Sequence, residues 1–298
     1  MADESDISQK AKNTVARIKT SFVGGLAISV GLKAVAHPLT YIKVLIQVGH
    51  EPIAPVKTTT LFGKTVYRLP NFIQYGKHIK RVDGWLGLYR GLGPRLVSDF
   101  IGSTVNNAVT TKLNVSKDEE PDKSPGTFIR ETGQLTIAKT CSIVVSYPFH
   151  VISIRMMVQF VGRETYYNNI FSSIQEIYNE EGISGFFSGV VPFLIGELVA
   201  LWISRTISYL IRKQLPHEEA SRDEVKSYSS QLSGFIASMV TYPFHLVNTL
   251  LAVNDTRLVA GNPPLMPIYE SWTDCWVELG KKGLRHRGSS LFRRNVKI

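Results

Sequence analysis

The stretch Ala36–Gln47, AHPLTYIKVLIQ, decides how this chain of 298 residues is read, because nearly the same words return at Ser146–Gln159, SYPFHVISIRMMVQ, and at Thr241–Val253, TYPFHLVNTLLAV. Each copy sits in an apolar segment with a proline inside it, Pro38, Pro148 and Pro243. The period is roughly 100 residues, longer than that of helical solenoids. A second phrase follows each proline: Asp83-Gly84 leading to Tyr89-Arg90-Gly91, Glu181-Gly182 leading to Phe187-Ser188-Gly189, and a weaker Lys282-Gly283 leading to Ser290, Phe292 and Arg294. Two phrases in one order, three times, divide one membrane domain into repeat one (20–113), repeat two (134–212) and a truncated repeat three (228–298).

Working outward, 44% of the residues are hydrophobic and occur in long, lightly charged runs, which points to one polytopic membrane domain. Cys141 and Cys275 are too few for a disulfide framework and lack metal-ligand spacing. The N-terminal MADESDISQK has neither an apolar signal core nor the Arg-rich, acid-poor character of a matrix presequence, so an organelle address is expected to be internal. A net charge of +10 reads as contact with membrane lipids carrying anionic headgroups. No basic helix or aromatic-interleaved strand supports nucleic-acid binding.

Five spans are expected, at about 21–48, 92–113, 134–160, 189–211 and 229–253, each near or above the roughly 20 residues a bilayer requires. Each carries a polar stripe at helical spacing. Ser29, Lys33, His37, Thr40, Lys43 and Gln47 share one face of the first. Asp99, Ser103, Asn106 and Thr110 line the second; Lys139, Ser142, Ser146, His150 and Ser153 the third, with Arg155 opposite and able to snorkel. Glu197, Ser204 and Ser208 align on the fourth with Arg205 at the margin, and Ser230, Ser233, Thr241, His245 and Asn248 on the fifth. The intervening 49–92 reads as a polar connection with a surface helix near 71–82, and 114–133 reads as a charged loop. After Phe292 too few residues remain to cross a bilayer, so a sixth span is expected to be missing.

Three such repeats, each with a proline-bearing membrane helix, an [DE]-G surface helix and a G-x-x-P return helix, resemble the mitochondrial carrier family over nearly the whole length. The resemblance implies an all-α, carrier-like three-repeat bundle with short amphipathic surface helices. That family carries P-x-[DE]-x-x-[KR] in each repeat, and its acids and bases pair between repeats to close a gate. Here the acid positions are Thr40, His150 and His245, and the base positions are Lys43, Ser153 and Asn248. No acid survives, so a ring of three ion pairs is not expected, and this argues against alternating-access transport.

An ionisable group set against lipid costs at least about 2.5–3.5 kcal/mol on insertion scales, so the groups at membrane depth must face one another or water. Pairing inside the bundle, as of Asp99 or Glu197 with Lys33 or Lys139, is one reading. Whole lines of Ser, Thr and Asn favour the other, a wet interior opened to lipid by the absent helix. The groove is expected to use Lys33, His37, Lys43, Asp99, Asn106, Lys139, His150, Glu197, Arg205, His245 and Asn248. Such a groove suits a non-enzymatic insertase that offers polar segments an environment between water and lipid. The wording of the repeats resembles a divergent branch of the carrier family. That resemblance implies insertion of α-helical, tail-anchored-type clients into the mitochondrial outer membrane, and a docking role for a BH3-family apoptosis regulator. A solute carrier completed by a partner, a lipid scramblase and a recruiting scaffold are the alternatives. No catalytic or cofactor fingerprint occurs, so neither enzyme activity nor a cofactor is expected. His37 precedes its proline whereas His150 and His245 follow theirs, which speaks against a shared metal site. Tyr147, Tyr242 and the four tryptophans read as interface anchors and core filler.

Overall fold

The computed structural model describes residues 30–59, 63, 65–115, 124–214, 222–292 and 294–296; Ser29 and the start of the first span lie outside them. Eight α-helices are described: α1 (30–47), α2 (Phe72–Gly87), α3 (Leu92–Lys112), α4 (Pro125–Val158), α5 (Ile170–Glu181), α6 (Val190–Gln214), α7 (Arg222–Leu251) and α8 (Trp272–Lys281). Five are long, α1, α3, α4, α6 and α7, and they form the membrane bundle. Between α1 and α2 an antiparallel hairpin intervenes, β1 (Val56–Thr59) on β2 (Thr65–Arg68), where the sequence suggested only a polar connection.

The shorter helices begin alike because each follows a capping side chain. Asn71, Asn169 and Ser271 accept from the backbone N–H of Gln74, Ser172 and Asp274, satisfying one otherwise orphaned donor at each start. The same device corrects the reading of 114–133 as loop. Ser124 caps Thr127 and Pro125 occupies the first turn, so α4 starts nine residues before the expected Gln134. Arg222, likewise, opens α7 inside what reads as the preceding loop.

Each repeat is then closed by one hydrogen bond of the same kind. The residue before the proline donates to the carbonyl of the residue before a left-handed glycine: His37 Nε2 to Arg90 (2.9 Å), the Tyr147 hydroxyl to Ser188 (2.8 Å) and the Tyr242 hydroxyl to Arg287 (2.7 Å). Those glycines, Gly91, Gly189 and Gly288, have φ of 82°, 79° and 82°. Each is seated on another helix. A Cβ on Gly91 would lie 2.7 Å from the Ser153 carbonyl of α4, one on Gly189 3.0 Å from the Asn248 carbonyl of α7, and one on Gly288 3.2 Å from Gln47 of α1. The glycines therefore supply both the positive φ and the close approach. In repeat three this role falls to Arg287-Gly288 rather than to the Phe292-Arg293-Arg294 segment aligned from sequence. Phe292 instead projects from the surface against Phe72.

Side-chain bonds give the order of the helices around the bundle. Ser142 donates to Gly102 O (2.7 Å) and Ser98 to Ser146 O (3.0 Å), joining α3 to α4. Trp202 to Thr136 (3.1 Å) joins α4 to α6, and Ser208 with Ser233 (2.9 Å) joins α6 to α7. Thr249 to Gln47 Oε1 (3.1 Å) brings α7 back to α1. The main apolar core lies at the glycine end, where Tyr41, Leu45, Ile152, Met157, Leu246 and Leu250 are buried. Arg155, expected to snorkel, is fully buried there. It donates to Ala252 O and makes a two-pronged pair with Glu181, so the acid of the second phrase holds α4, α5 and α7 together.

The other end stays open. Along α7, Tyr228, Leu232, Phe235, Met239 and Val240 are exposed while Ser229, Ser233 and Ala237 face α6; Leu32 and Val35 of α1 are exposed as well. After Gly288 the chain does not run back along the bundle. It crosses to the hairpin, with Phe72 N bonded to Leu291 O, Leu69 N to Arg294 O, Val296 N to Tyr67 O, and Arg294 paired with Glu51. No helix in the described residues fills the sixth position. Arg155→Ala, which removes a fully buried side chain and leaves the partly buried Glu181 without its partner, is expected to cost about 3 kcal/mol, whereas Phe292→Ala should cost under about 0.5. Thermal unfolding of the detergent-solubilised protein reads both; equal losses would refute the buried clamp.

A polar cup as the candidate functional site

The five long helices enclose a cup whose closed end is the glycine-seated ring. Two of them, α4 and the segment Ser184–Ile211 that includes most of α6, are long and apolar enough to cross a membrane by composition, and only 11% of the most apolar window of the second is buried. The described residues of α1, α3 and α7 do not meet the same test. At the floor, Asn248 Nδ2 donates to His150 Nε2 (3.1 Å) while its Oδ1 lies 2.5 Å from the Tyr147 hydroxyl. Phe193 wedges between the rings of His150 (4.7 Å between centroids) and His245 (5.7 Å). Lys43 Nζ sits 4.9 Å over the Tyr242 ring. Tyr242 also accepts from Gln47 Nε2 (3.2 Å).

Above the floor the wall carries ion pairs that cross between helices. Lys33 of α1 meets Asp99 of α3 at 2.9 Å, and Lys139 of α4 meets Glu197 of α6 at 2.7 Å. Glu197 also lies 3.9 Å from His245 of α7. Nearer the mouth, Arg205 of α6 donates to Thr132 of α4 (3.1 Å) and lies 3.6 Å from the buried Glu131. The pairs are not dry. Side-chain exposure is 41% and 37% for Lys33 and Asp99, and 38% and 26% for Lys139 and Glu197. Charges this exposed at membrane depth require water around them rather than acyl chains.

Most of the groups singled out from sequence meet in this cup: Lys33 with Asp99, Lys139 with Glu197 and His245, His150 with Asn248, and Lys43 at the floor. Asn106 is half-buried on α3, two turns from Asp99 toward the mouth. His37 is placed differently. It is buried, its Nε2 serves the Arg90 carbonyl and its ring stacks on Tyr89, so it belongs to the ring closure and not to the groove. Tyr147 and Tyr242, read as anchors and filler, are floor residues. The signal was present: both directly precede the repeat proline, as His37 does. Glu131 was hidden because its segment reads as loop.

The family's gate positions lie at the same floor. The acid position of repeat two, His150, touches the base position of repeat three, Asn248, so one inter-repeat contact persists as a neutral hydrogen bond. Ser153 donates to Gly91 O (2.8 Å) instead of meeting a partner at Thr40.

Residues 15–116 and 131–218 match the family model described as mitochondrial carrier protein, more than half of the chain. The chain belongs to the mitochondrial carrier family. It is 44% identical over 278 residues to mitochondrial carrier homolog 2 of Homo sapiens, covering 89% of this chain and 91% of that protein. Mitochondrial carrier homolog 1 of Mus musculus is 40% identical over 296 residues, covering 91% and 76%. Nicotinamide adenine dinucleotide transporter 2, mitochondrial, of Arabidopsis thaliana is 27% identical over 221 residues, covering 72% and 58%. This carrier-family chain is a divergent member and a mitochondrial membrane protein.

The cross-helix pairs make a charge-order prediction. Lys139→Glu should destabilise the carrier fold by placing two carboxylates together, and adding Glu197→Lys should recover most of the loss. Thermal unfolding of the single and double variants tests this; a double variant no better than the single would show that the two side chains do not face each other.

Proposed function

We propose that this carrier-family protein is an insertase of the mitochondrial outer membrane for α-helical, tail-anchored-type clients, and that it makes and breaks no covalent bond. The observation that carries the reading is the combination of partly exposed ion pairs at membrane depth with a wall between α1 and α7 that no described residue covers. The bonds between those two helices lie at the Lys43–Gln47 and Tyr242–Thr249 level. Above it, the apolar side chains of Leu232, Phe235, Met239 and Val240 on α7 are exposed.

The energetic logic is simple. A polar segment that flanks a client's hydrophobic helix loses its hydrogen bonds to water when it enters hydrocarbon, at a cost of several kcal/mol per unsatisfied group. Lys33, Asp99, Lys139 and Glu197 replace part of that hydration. The hydrophobic helix meanwhile leaves sideways past α7 into lipid. A solute carrier would need the gate to close by ion pairs at the repeat prolines, and the neutral Asn248–His150 contact does not favour it. Lipid scrambling is the second reading supported by the same half-exposed pairs, since a headgroup faces the same desolvation cost as a polar peptide.

Purified protein reconstituted alone into liposomes should insert a tail-anchored client, scored by protease protection, well above empty liposomes. Glu197→Arg, which sets a cation against Lys139, should reduce insertion about tenfold or more, equivalent to about 1.4 kcal/mol, with the variant still resistant to carbonate extraction. Folded wild-type protein that inserts no client would refute the insertase reading; transbilayer movement of a labelled lipid under the same conditions would then favour scrambling.

A further inference from the structure

Two sets of bonds tie repeat three to repeat one. The first joins α7 to α1 at the level of Lys43–Gln47 and Tyr242–Thr249. The second belongs to the 287–296 segment, which runs from the third ring-closing turn to the hairpin. At one end Arg287 donates to the Gln47 carbonyl, where α1 stops, and a Cβ on Gly49 (φ 90°) would lie 3.1 Å from the same guanidinium. At the other end the buried Arg294 engages both carboxylate oxygens of Glu51 and donates to Pro70 O (2.6 Å). Between these ends Ser289, Ser290 and Phe292 are exposed, while Leu291 O and Arg294 O accept from Phe72 N (3.0 Å) and Leu69 N (2.8 Å). The Tyr75 hydroxyl donates to His50 O (2.8 Å), which makes the end of α1 and the start of α2 one block. The segment therefore fastens repeat three to that block at two separated points.

One attachment leaves a hinge, whereas two set apart fix an angle. Residue 30 lies about 25 Å from Gln47 along α1, so a tilt of about 10° about that point moves the free end of the helix by about 4 Å. Toward the mouth α1 is held to α3 by the Lys33–Asp99 pair, which is exposed enough to be weak. The tilt is therefore set at the other end, by Arg287 and Arg294. Their bonds are charge-assisted and the one to Glu51 is two-pronged, so they fix direction as well as distance. Little apolar surface backs them: Phe292 rests on Phe72 and is otherwise exposed. A fastening with few apolar contacts and exposed backbone opens locally while the core stays folded.

We infer that the 287–296 segment is a releasable strap that sets the tilt of α1 against α7, and so how widely the wall of the cup opens. Fastened, it holds α1 at one angle; released, it leaves α1 to pivot on Gln47. The strap stands on its own bonds. Its consequence for clients rests on the insertase reading: a longer polar flank needs a wider passage, so release favours such clients over those with short flanks.

Two measurements test this on the full-length protein. Spin labels on Leu32→Cys and Leu232→Cys, exposed positions near the mouth ends of α1 and α7, report the opening in a Cys141→Ser background in which Cys275 is buried. In lipid nanodiscs, Arg294→Ala and Glu51→Ala should each broaden the distance distribution by about 4 Å or more, the displacement that a tilt of about 10° produces. Glu51→Arg combined with Arg294→Glu should narrow it again, and Phe292→Ala should leave it as in the wild type. Labels on Phe100→Cys of α3 and Ile137→Cys of α4, both exposed, should keep one distance throughout. An unchanged mouth distance in Arg294→Ala, no recovery in the charge swap, or equal broadening of the α3–α4 pair would overturn the strap. In liposomes, Arg294→Ala should raise insertion of a client with a long polar flank severalfold relative to one with a short flank. An unchanged ratio beside a broadened mouth distance removes the consequence for clients, and no insertion by the wild type removes the insertase reading; both leave the strap standing.

Discussion

A proline inside a membrane helix has no N–H to give to the carbonyl one turn back, and the bundle depends on where the neighbouring polar group is sent instead. In all three repeats the side chain just before the proline donates to the carbonyl just before a left-handed glycine. That bond fixes the end of the surface segment against the proline helix of its own repeat. The glycine, lacking a Cβ, lets the same turn press on a helix of another repeat. Intra-repeat bond and inter-repeat contact share one residue pair, so the three repeats close into a ring as a unit. A His performs at position 37 what Tyr performs at 147 and 242, because either can reach a carbonyl with one N–H or O–H.

The ring is self-sufficient at its own level, so the carrier fold closes there without a sixth long helix among the described residues. Closure between α7 and α1 uses Thr249, Gln47, Tyr242 and the Arg287-Gly288 turn, none of which belongs to a sixth helix. Above that level nothing in the ring obliges α1 and α7 to touch. The apolar residues of α7 that face outward there are at home in lipid, while the faces pointing inward carry the charges of the cup. Under the proposed function, the boundary between water and hydrocarbon lies in the wall between these two helices rather than at a membrane surface.

Much of this was legible from particular residues. The spacing of Pro38, Pro148 and Pro243 gave the repeat, the polar stripes gave the inward faces, and the missing acids at Thr40, His150 and His245 foretold a gate without ion pairs. What stayed hidden shares a cause. Arg155 lies opposite the polar stripe, and a stripe read on one helix cannot show that Glu181 of a surface helix folds over it. Phe292 looked equivalent to Tyr89 and Phe187 by chemistry, whereas the equivalence that matters is backbone conformation at Gly288. The hairpin and its pairing with Asn295 join segments more than two hundred residues apart, and neither strand is apolar enough to announce itself.

The gate positions show most plainly how this chain departs from the family's gate pattern. An ion pair between repeats is strong enough to close a cavity yet breaks when water enters, which makes it reversible. Here the surviving contact is an amide donating to a neutral imidazole, buttressed by Tyr147 from below and Phe193 from the side. Breaking it would leave the amide of Asn248, itself almost fully buried, without its acceptor, beside the Tyr147 hydroxyl that closes repeat two. The floor is thus tied to the ring closure rather than poised against it. A carrier floor must open in each cycle. Here the floor is fastened to the ring closure, and under the proposed function a client enters by the mouth and leaves through the wall between α1 and α7.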